Sequence, residues 1–145
     1  MRKRKPYRRK PVMLNAHMVV VSDSQKLSEG EVVDLLNGVY LPLAAIEGGN
    51  GTTENVNAIG SAAQIAYVLA KAGGGARRAA MESIVEVIKD VWAIDGRPAR
   101  TAALPEVARL REFLSLYGDI LRTVTRGQFI EAIRESNRRV SRRAA

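Results

Sequence analysis

The chain has 145 residues, enough for one domain with a buried core, and 46% of them are apolar while only 5% are aromatic, which favours packed helices over a β-sandwich. It contains no cysteine, and this excludes disulfides, thiolate metal sites and cysteine nucleophiles. The net charge of +8 is concentrated at the two ends of the chain. Residues 1–11 carry seven Lys or Arg and no acid, and residues 134–145 carry five Arg and one Glu. The residues between them, 12–133, carry eleven basic and fourteen acidic residues, a net charge of −3.

The N-terminal sequence does not predict export. No apolar run approaches the roughly 18–20 residues that cross a bilayer. The basic opening is typical of a signal peptide, but Pro11, Asn15 and His17 interrupt the apolar region that should follow it. We therefore expect no membrane association and a cytoplasmic location, with which the absence of cysteine agrees.

Residues 1–11, MRKRKPYRRKP, form a segment too highly charged to be buried. Pro6 and Pro11 disfavour a helix, so we expect a flexible arm that an anionic partner orders. Its cations would neutralise phosphates, and Tyr7 is able to stack on a base. A solubilising tail, or an arm that binds an acidic protein surface, is the alternative. The apolar segment 12–23 that follows predicts either a short strand or a strap across the helices.

The first helix is predicted to begin at Ser28, which forms a capping-box pattern with Glu31. Pro42 lies within the apolar repeat of this helix. Because a proline ring clashes with the carbonyl group four residues earlier, we expect a kink or break near Tyr40–Leu41. The glycine-rich residues 48–51 should end the helix.

A second helix is predicted to begin at Thr52 or Thr53 and to end at the glycines 73–75. One face carries Val56, Ile59, Ala63, Ala66, Tyr67 and Ala70. The small residues Gly60, Ala62, Ala63 and Ala66 should allow a neighbouring helix to approach closely.

Residues 76–94 predict an amphipathic helix around which we expect the other helices to pack. Its apolar stripe consists of Met81, Ile84, Val85, Ile88, Val91 and Trp92. Glu82, Glu86 and Asp90 lie opposite this stripe. We interpret them as a solvated acidic face, which could receive a cationic arm, rather than as paired catalytic carboxylates.

Pro105 is suited to the first position of the next helix, 105–124. Its apolar positions recur every three or four residues: Val107, Leu110, Leu114, Tyr117, Leu121 and Val124, widened by Phe113, Leu116 and Ile120. This stripe favours a globular core or a helix pair in a dimer. Thr125 and Gln128 then form a second capping box, and the last helix should pair with the preceding one as an antiparallel hairpin. Its apolar residues are Phe129, Ile130, Ile133 and Val140.

These elements predict an all-α fold with four to five main helices. The predicted organisation is a basic flexible arm (1–11), one compact helical domain (12–142) and a frayed tail (143–145).

Three segments, PYRRKPVMLN, NAIGSAAQIAYVLAKAGGG and LPEVARLREFLSLYGDIL, resemble small, all-helical proteins encoded by phages and prophages of proteobacteria. Those proteins typically open with a basic Tyr-x-x-Lys-Pro-Val-like run and contain a Leu-rich penultimate helix. Many have a His-Asp pair where this chain has Tyr117 and Gly118, so we expect no site built on that pair. The resemblance implies a mobile-element context and the cytoplasm of a bacterial host.

The sequence predicts no catalytic residue, metal site or cofactor. His17, Ser22 and Asp23 are the residue types of a hydrolytic triad, but nothing brings them together in space. The glycine groups lack the preceding strand and the following Lys-Ser/Thr of a phosphate loop. Tyr117 and Trp92 are expected in the core. We therefore expect a protein that is not an enzyme.

The uneven charge predicts electrostatic binding of nucleic acid. The residues expected to contact it are Arg2, Lys3, Arg4, Lys5, Tyr7, Arg8, Arg9, Lys10, Arg138, Arg139, Arg142 and Arg143. The alternative is an adaptor, inhibitor or structural subunit that acts on a host or phage protein through an acidic protein surface. In that case the stripe on helix 105–124 would serve partner binding or formation of a homo-oligomer.

Overall fold

The computed structural model describes residues 24–144, without the side chains of residues 76 and 140–144. The described part contains five long helices and one short helix: α1 (Glu29–Glu47), α2 (Thr53–Gly73), α3 (Gly75–Ala79), α4 (Met81–Asp95), α5 (Leu104–Thr123) and α6 (Arg126–Ala144). A 3₁₀ turn, Pro98–Arg100, precedes α5. Between residues 24 and 144 the only β pairing is an isolated bridge that joins Lys26 to Thr125. The predicted all-α class is confirmed, whereas the predicted arm 1–11 and segment 12–23 lie outside the described residues.

Local capping chemistry sets the start of three helices. In each, a hydroxyl side chain accepts a hydrogen bond from a backbone N–H three residues later, and the later side chain accepts one from the cap's own N–H. The pairs are Ser28 with Glu31, Thr52 with Asn55, and Thr125 with Gln128. The first and third pairs confirm the predicted capping boxes. The second uses asparagine where the usual pattern has Glu or Gln.

Helix α1 does not end at its proline. It continues through Pro42 to Glu47, so of the predicted kink or break near Tyr40–Leu41 the break is wrong. Val39 is buried before the proline, and Leu43 and Ile46 are buried after it. Burial of apolar groups on both sides offsets the hydrogen bond that proline cannot make.

Helix α2, and not the predicted helix 76–94, is the central element, since it packs against all five other helices. Four of its six alanines are almost completely buried: Ala62, Ala63, Ala66 and Ala70. A Cβ atom on Gly60 would lie only 3.4 Å from Val91 Cγ1. The small residues therefore permit the close approach that the sequence predicted, and they make α2 the helix that the others can surround.

The predicted helix 76–94 is interrupted. Helix α3 ends at Ala79 and α4 begins at Met81. Between them the Ala80 N–H donates to Arg77 O at 3.1 Å, a bond to the third preceding residue that tightens the turn as in a 3₁₀ helix. The chain enters α3 from Gly74 and Gly75, whose φ values of +58° and +51° favour glycine.

Helix α5 packs on α1 and α4. The buried residues of its stripe are Leu110, Phe113, Tyr117, Ile120 and Leu121. The rings of Phe113 and Tyr117 stack with centroids 5.5 Å apart. Most of the stripe therefore packs within the chain itself, as the predicted globular core requires. Pro105 occupies the second helical position after Leu104, rather than the first as predicted.

Helix α6 packs along α2 and not on α5, so the predicted α5–α6 hairpin is wrong. Val124 is extended and buried, and the bridge from Thr125 to Lys26 redirects the chain before α6 begins. As a result Ala132 and Ser136 are buried against the bundle, whereas Ile130 is 36% exposed. The helix continues to Ala144, past position 143 where the sequence predicted a frayed tail.

Candidate nucleic-acid interface

The predicted phosphate-binding residues fall into three groups. The eight residues of the arm, Arg2, Lys3, Arg4, Lys5, Tyr7, Arg8, Arg9 and Lys10, lie outside the described residues. Arg142 and Arg143 are on α6, where the backbone is described but the side chains are not. Arg138 and Arg139 are described in full. The structure therefore places four predicted arginines on the last two turns of one helix.

Arg138 and Arg139 contact carboxylates of their own helix. Arg138 Nη2 lies 2.8 Å from both Glu131 Oε1 and Glu135 Oε2, and Arg139 Nε lies 3.5 Å from Glu135 Oε1. Arg139 also lies over the Tyr67 ring, 5.5 Å from its centroid. Exposed ion pairs between neighbouring turns contribute little to stability, so a phosphate can compete for these guanidinium groups.

A groove of about 520 Å³ lies beside this part of α6, between α2, α4 and α6. Apolar residues form part of its lining, including Val91 and Ile65. The polar residues that line it are Asn57, Ser61, Gln64, Asp95, Ser136 and Asn137. Because amide and hydroxyl groups both donate and accept hydrogen bonds, the residues of the groove can form hydrogen bonds with the donors and acceptors at the edge of a heterocyclic ring.

Trp92 lines the same groove and is 61% exposed. The sequence placed it on the buried stripe of its helix, and that prediction is wrong. The buried side of α4 is formed instead by Ile84, Val87, Val91 and Ile94. An indole face beside amide groups is suited to stacking a nucleobase, since stacking on an aromatic ring does not depend on base identity. Tyr117, by contrast, is in the core as predicted, and burial raises its pKa to about 12.

Asp90 was predicted on a solvated acidic face with Glu82 and Glu86, but it is only 6% exposed. It accepts two hydrogen bonds from Arg109 of α5, from Nε at 2.7 Å and from Nη2 at 2.9 Å. A carboxylate leaves water at low cost only where such a charged partner is available. Glu82 and Glu86 are exposed as predicted.

Asp90 is one example of a wider pattern. Of the fourteen acidic residues between positions 24 and 144, nine form ion pairs there: Glu29, Glu31, Glu47, Glu86, Asp90, Asp95, Glu106, Glu131 and Glu135. Four of the nine are paired with an arginine of another helix, such as Glu47 with Arg111 at 2.7 Å. The acidic charge of the bundle is therefore largely matched by its own arginines.

Glu106 is the most buried of the paired glutamates, with 8% of its side chain exposed. It accepts hydrogen bonds from Arg97, one of them from Nη2 at 2.9 Å, and from the Ala103 N–H at 2.8 Å. Hydrogen bonding to Arg97 lowers the pKa of Glu106, and hydrogen bonding to Arg111 lowers the pKa of Glu47. These contacts favour the charged carboxylates of the folded state.

Lowered pKa values make folding stability depend on pH with a definite sign. A carboxyl group whose pKa is lower in the folded state stabilises that state above its unfolded pKa, near 4.5, and this contribution is lost as the pH falls through the folded pKa. We therefore expect the urea midpoint to fall as the solution is taken from pH 6 to pH 3. Glu106→Gln should flatten this decline. The control is Glu112→Gln, which removes an exposed carboxylate without an ion pair from the same helix. An unchanged pH profile in Glu106→Gln would contradict this assignment.

Two further observations concern the described residues. Between positions 24 and 144, no three His, Asp or Glu residues are grouped so that they could hold a metal ion. Over the same range, no helix has the combination of length and apolarity needed to cross a membrane.

In comparisons with protein-family models, curated proteins and solved structures, nothing matches this chain.

Proposed function

We propose that this chain is a non-enzymatic accessory protein of a phage or other mobile element. In this proposal it binds nucleic acid in the bacterial cytoplasm through the basic arm 1–11 and the arginines at the end of α6. The observation that carries the proposal is the distribution of ion pairs. Most acids of the bundle already have arginine partners, so the cations of the arm find few acids to neutralise within their own chain.

The charge count makes this comparison concrete. The five described acids without an ion pair are Asp34, Glu54, Glu82, Glu112 and Asp119. They are distributed over four helices, whereas the seven cations of the arm lie within nine consecutive residues, 2–10. Such a dense run of positive charge matches a polyanion, whose phosphates are closely spaced, better than scattered carboxylates.

The groove at Trp92 indicates a preference for single strands. Bases of a duplex are stacked on each other, whereas unpaired bases are free to stack on an exposed indole and to pair with amide groups. Asn137 of this groove is on the same helix as Arg138, so a base in the groove would bring its own phosphates close to the arginines of α6.

The arginines at the end of α6 are tested with a charge-matched pair of variants. Arg142→Gln combined with Arg143→Gln should weaken binding of a labelled single-stranded oligonucleotide about tenfold at low salt, because two phosphate contacts are lost. It should also reduce the slope of log affinity against log salt, by about 0.7 for each lost contact. The control, Lys71→Gln with Arg78→Gln, removes the same charge from exposed positions without ion pairs. Fluorescence anisotropy measures both affinities. Equal losses in the two variants would exclude a specific contribution from α6.

The role of Trp92 is tested separately. Trp92→Ala should weaken binding of the single strand about tenfold and leave binding of a duplex nearly unchanged, because stacking contributes about 1–3 kcal/mol per base. Leu104→Ala is the control, since Leu104 is 85% exposed and lies at the start of a different helix. If no oligonucleotide binds the full chain at low salt, and nuclease-treated preparations retain an acidic protein in stoichiometric amount, the adaptor alternative is correct.

A further inference from the structure

The groove between α2, α4 and α6 is lined by polar side chains that form no hydrogen bond within the described part of the chain. They are Asn57, Ser61, Gln64, Ser136 and Asn137. Asn57, Ser61 and Asn137 are exposed, and solvent can satisfy them. Ser136 differs, because it lines the groove while only 7% of it is exposed. Since buried hydroxyl groups are normally hydrogen-bonded, Ser136 indicates that the groove takes up a ligand with polar groups.

Among the described residues that line the groove, Asp95 is the only charged one. Its Oδ1 lies 3.5 Å from Arg100 Nε, and 49% of the side chain is exposed. A carboxylate has about four acceptor positions and no donor, so Asp95 can accept further hydrogen bonds beside this ion pair. The groove therefore favours a ligand with N–H groups, and it disfavours a phosphate because like charges repel.

Asp95 lies within reach of a ring that stacks on Trp92. The two residues are three positions apart on α4 and both line the groove. At this spacing, side chains are neighbours on the helix surface, with Cβ atoms about 5–6 Å apart. A base that stacks on the indole therefore has one edge near the carboxylate, whereas its phosphates lie outside the groove, where the arginines of α6 can bind them.

The nucleobases differ in what their pairing edge offers to a carboxylate. Guanine has two adjacent donors, N1–H and the N2 amino group, which match the two carboxylate oxygens in a charge-assisted bidentate pair. Adenine and cytosine have one amino group beside a ring nitrogen that accepts. Thymine and uracil have one N–H between two carbonyl groups. In all four of these bases an acceptor faces the carboxylate and is repelled by it.

The uncharged side chains of the groove suit the other edge of guanine. Its O6 and N7 are acceptors, and hydroxyl and amide groups such as those of Ser136 and Gln64 can donate to them. We propose that the groove at Trp92 recognises guanine in a single strand and that Asp95 selects this base. The proposal rests on the proposed function, since it names the base that the same groove binds.

The first test varies one base in a labelled strand of thymidines and measures the affinity for the full chain by fluorescence anisotropy. A strand with one central guanine should bind about tenfold more tightly than strands with adenine, cytosine or thymine there, since a bidentate pair discriminates between bases to about this extent. Hypoxanthine keeps the N1–H of guanine but lacks its amino group, and it should fall between. Equal affinities for all the strands would overturn the proposal and leave the proposed function standing, whereas no binding of any strand at low salt would overturn both.

The second test removes the carboxylate with Asp95→Asn. An amide both donates and accepts, so the variant should lose the preference for guanine and bind the adenine strand at least as tightly. Asp119→Asn, which removes the same charge from an exposed position of α5 without an ion pair, should keep the preference. Far-UV circular dichroism checks that the variant remains folded without its pair to Arg100, and the hypoxanthine measurement needs no variant. A guanine preference that survives Asp95→Asn would overturn the role of the carboxylate.

The emission of Trp92 reports on the groove directly, because it is the only tryptophan of the chain. In titrations with unlabelled strands, the midpoint of the change in emission should lie at about tenfold lower concentration for the guanine strand than for the thymidine strand. In Asp95→Asn the two midpoints should coincide. A guanine preference in anisotropy without any change in the emission of Trp92 would place recognition outside the groove and overturn the proposal.

Discussion

Deleting residues 1–11 should remove most of the salt dependence of nucleic-acid binding. The arm carries seven cations, and each phosphate that a cation neutralises on a single strand contributes about −0.7 to the slope of log affinity against log salt. The full chain should therefore lose about a thousandfold in affinity between about 50 and 200 mM salt, and the deletion should reduce the slope by about 5. Anisotropy titrations of a labelled single strand at several salt concentrations measure both slopes.

Two matched variants distinguish charge from chain length in this experiment. Replacing all seven cations of the arm with Gln keeps the length and should reduce the slope as much as the deletion does. Tyr7→Ser keeps every charge and should leave the slope unchanged, with at most about a tenfold loss of affinity if the ring stacks on a base. A slope that survives the deletion would mean that the arm does not contact phosphate.

The starts of the helices are largely predictable from the sequence because capping is local. Ser28 and Thr125 each form hydrogen bonds to residues three positions away, so the pattern alone is sufficient. The small residues of α2 are predictable for a related reason. Gly60, Ala62, Ala63 and Ala66 have little side-chain volume, and they therefore mark the helix that neighbours can approach most closely.

Which side of a helix is buried depends on contacts with residues distant in the sequence, and the sequence therefore predicts it poorly. Trp92 and Val91 are adjacent, and both fit an apolar stripe, but α2 packs only on the side that Val91 occupies. The sequence predicts Asp90 at the surface, but its carboxylate is buried because it accepts a hydrogen bond from Arg109, nineteen residues later. Nothing in the hydrophobic period of α6 indicates that a bridge at Thr125 directs the helix onto α2.

The candidate interface also has one part that the sequence predicts and one part that it does not. Its cations are visible in the sequence as two runs of charge, whereas the groove joins residues from three helices and has no sequence signature. Four of the ion pairs that support the proposed function are also non-local, such as that of Arg122 with Glu29, which are 93 residues apart. Only a three-dimensional structure shows that the acids of the bundle are already matched.

The two aromatic residues Phe113 and Trp92 should contribute to stability in the reverse order of their size. Phe113 is 2% exposed and stacks on Tyr117, so Phe113→Ala leaves a cavity in the core and should cost about 3–5 kcal/mol of unfolding free energy. Trp92 is the larger side chain, but most of its surface is exposed, and Trp92→Ala should cost about 1–2 kcal/mol. Urea denaturation followed by far-UV circular dichroism measures both values.

This comparison also decides how the binding data for Trp92→Ala are understood. A protein that loses little stability at position 92 remains folded, and a loss of affinity for single strands then reflects the missing indole rather than a damaged bundle. If Trp92→Ala were instead as destabilising as Phe113→Ala, the indole would contribute mainly to packing, and the groove would lose its role as a base-stacking surface. Phe113→Tyr, which keeps the ring but buries a hydroxyl group, should fall between the two alanine variants because the new polar group loses its contact with water.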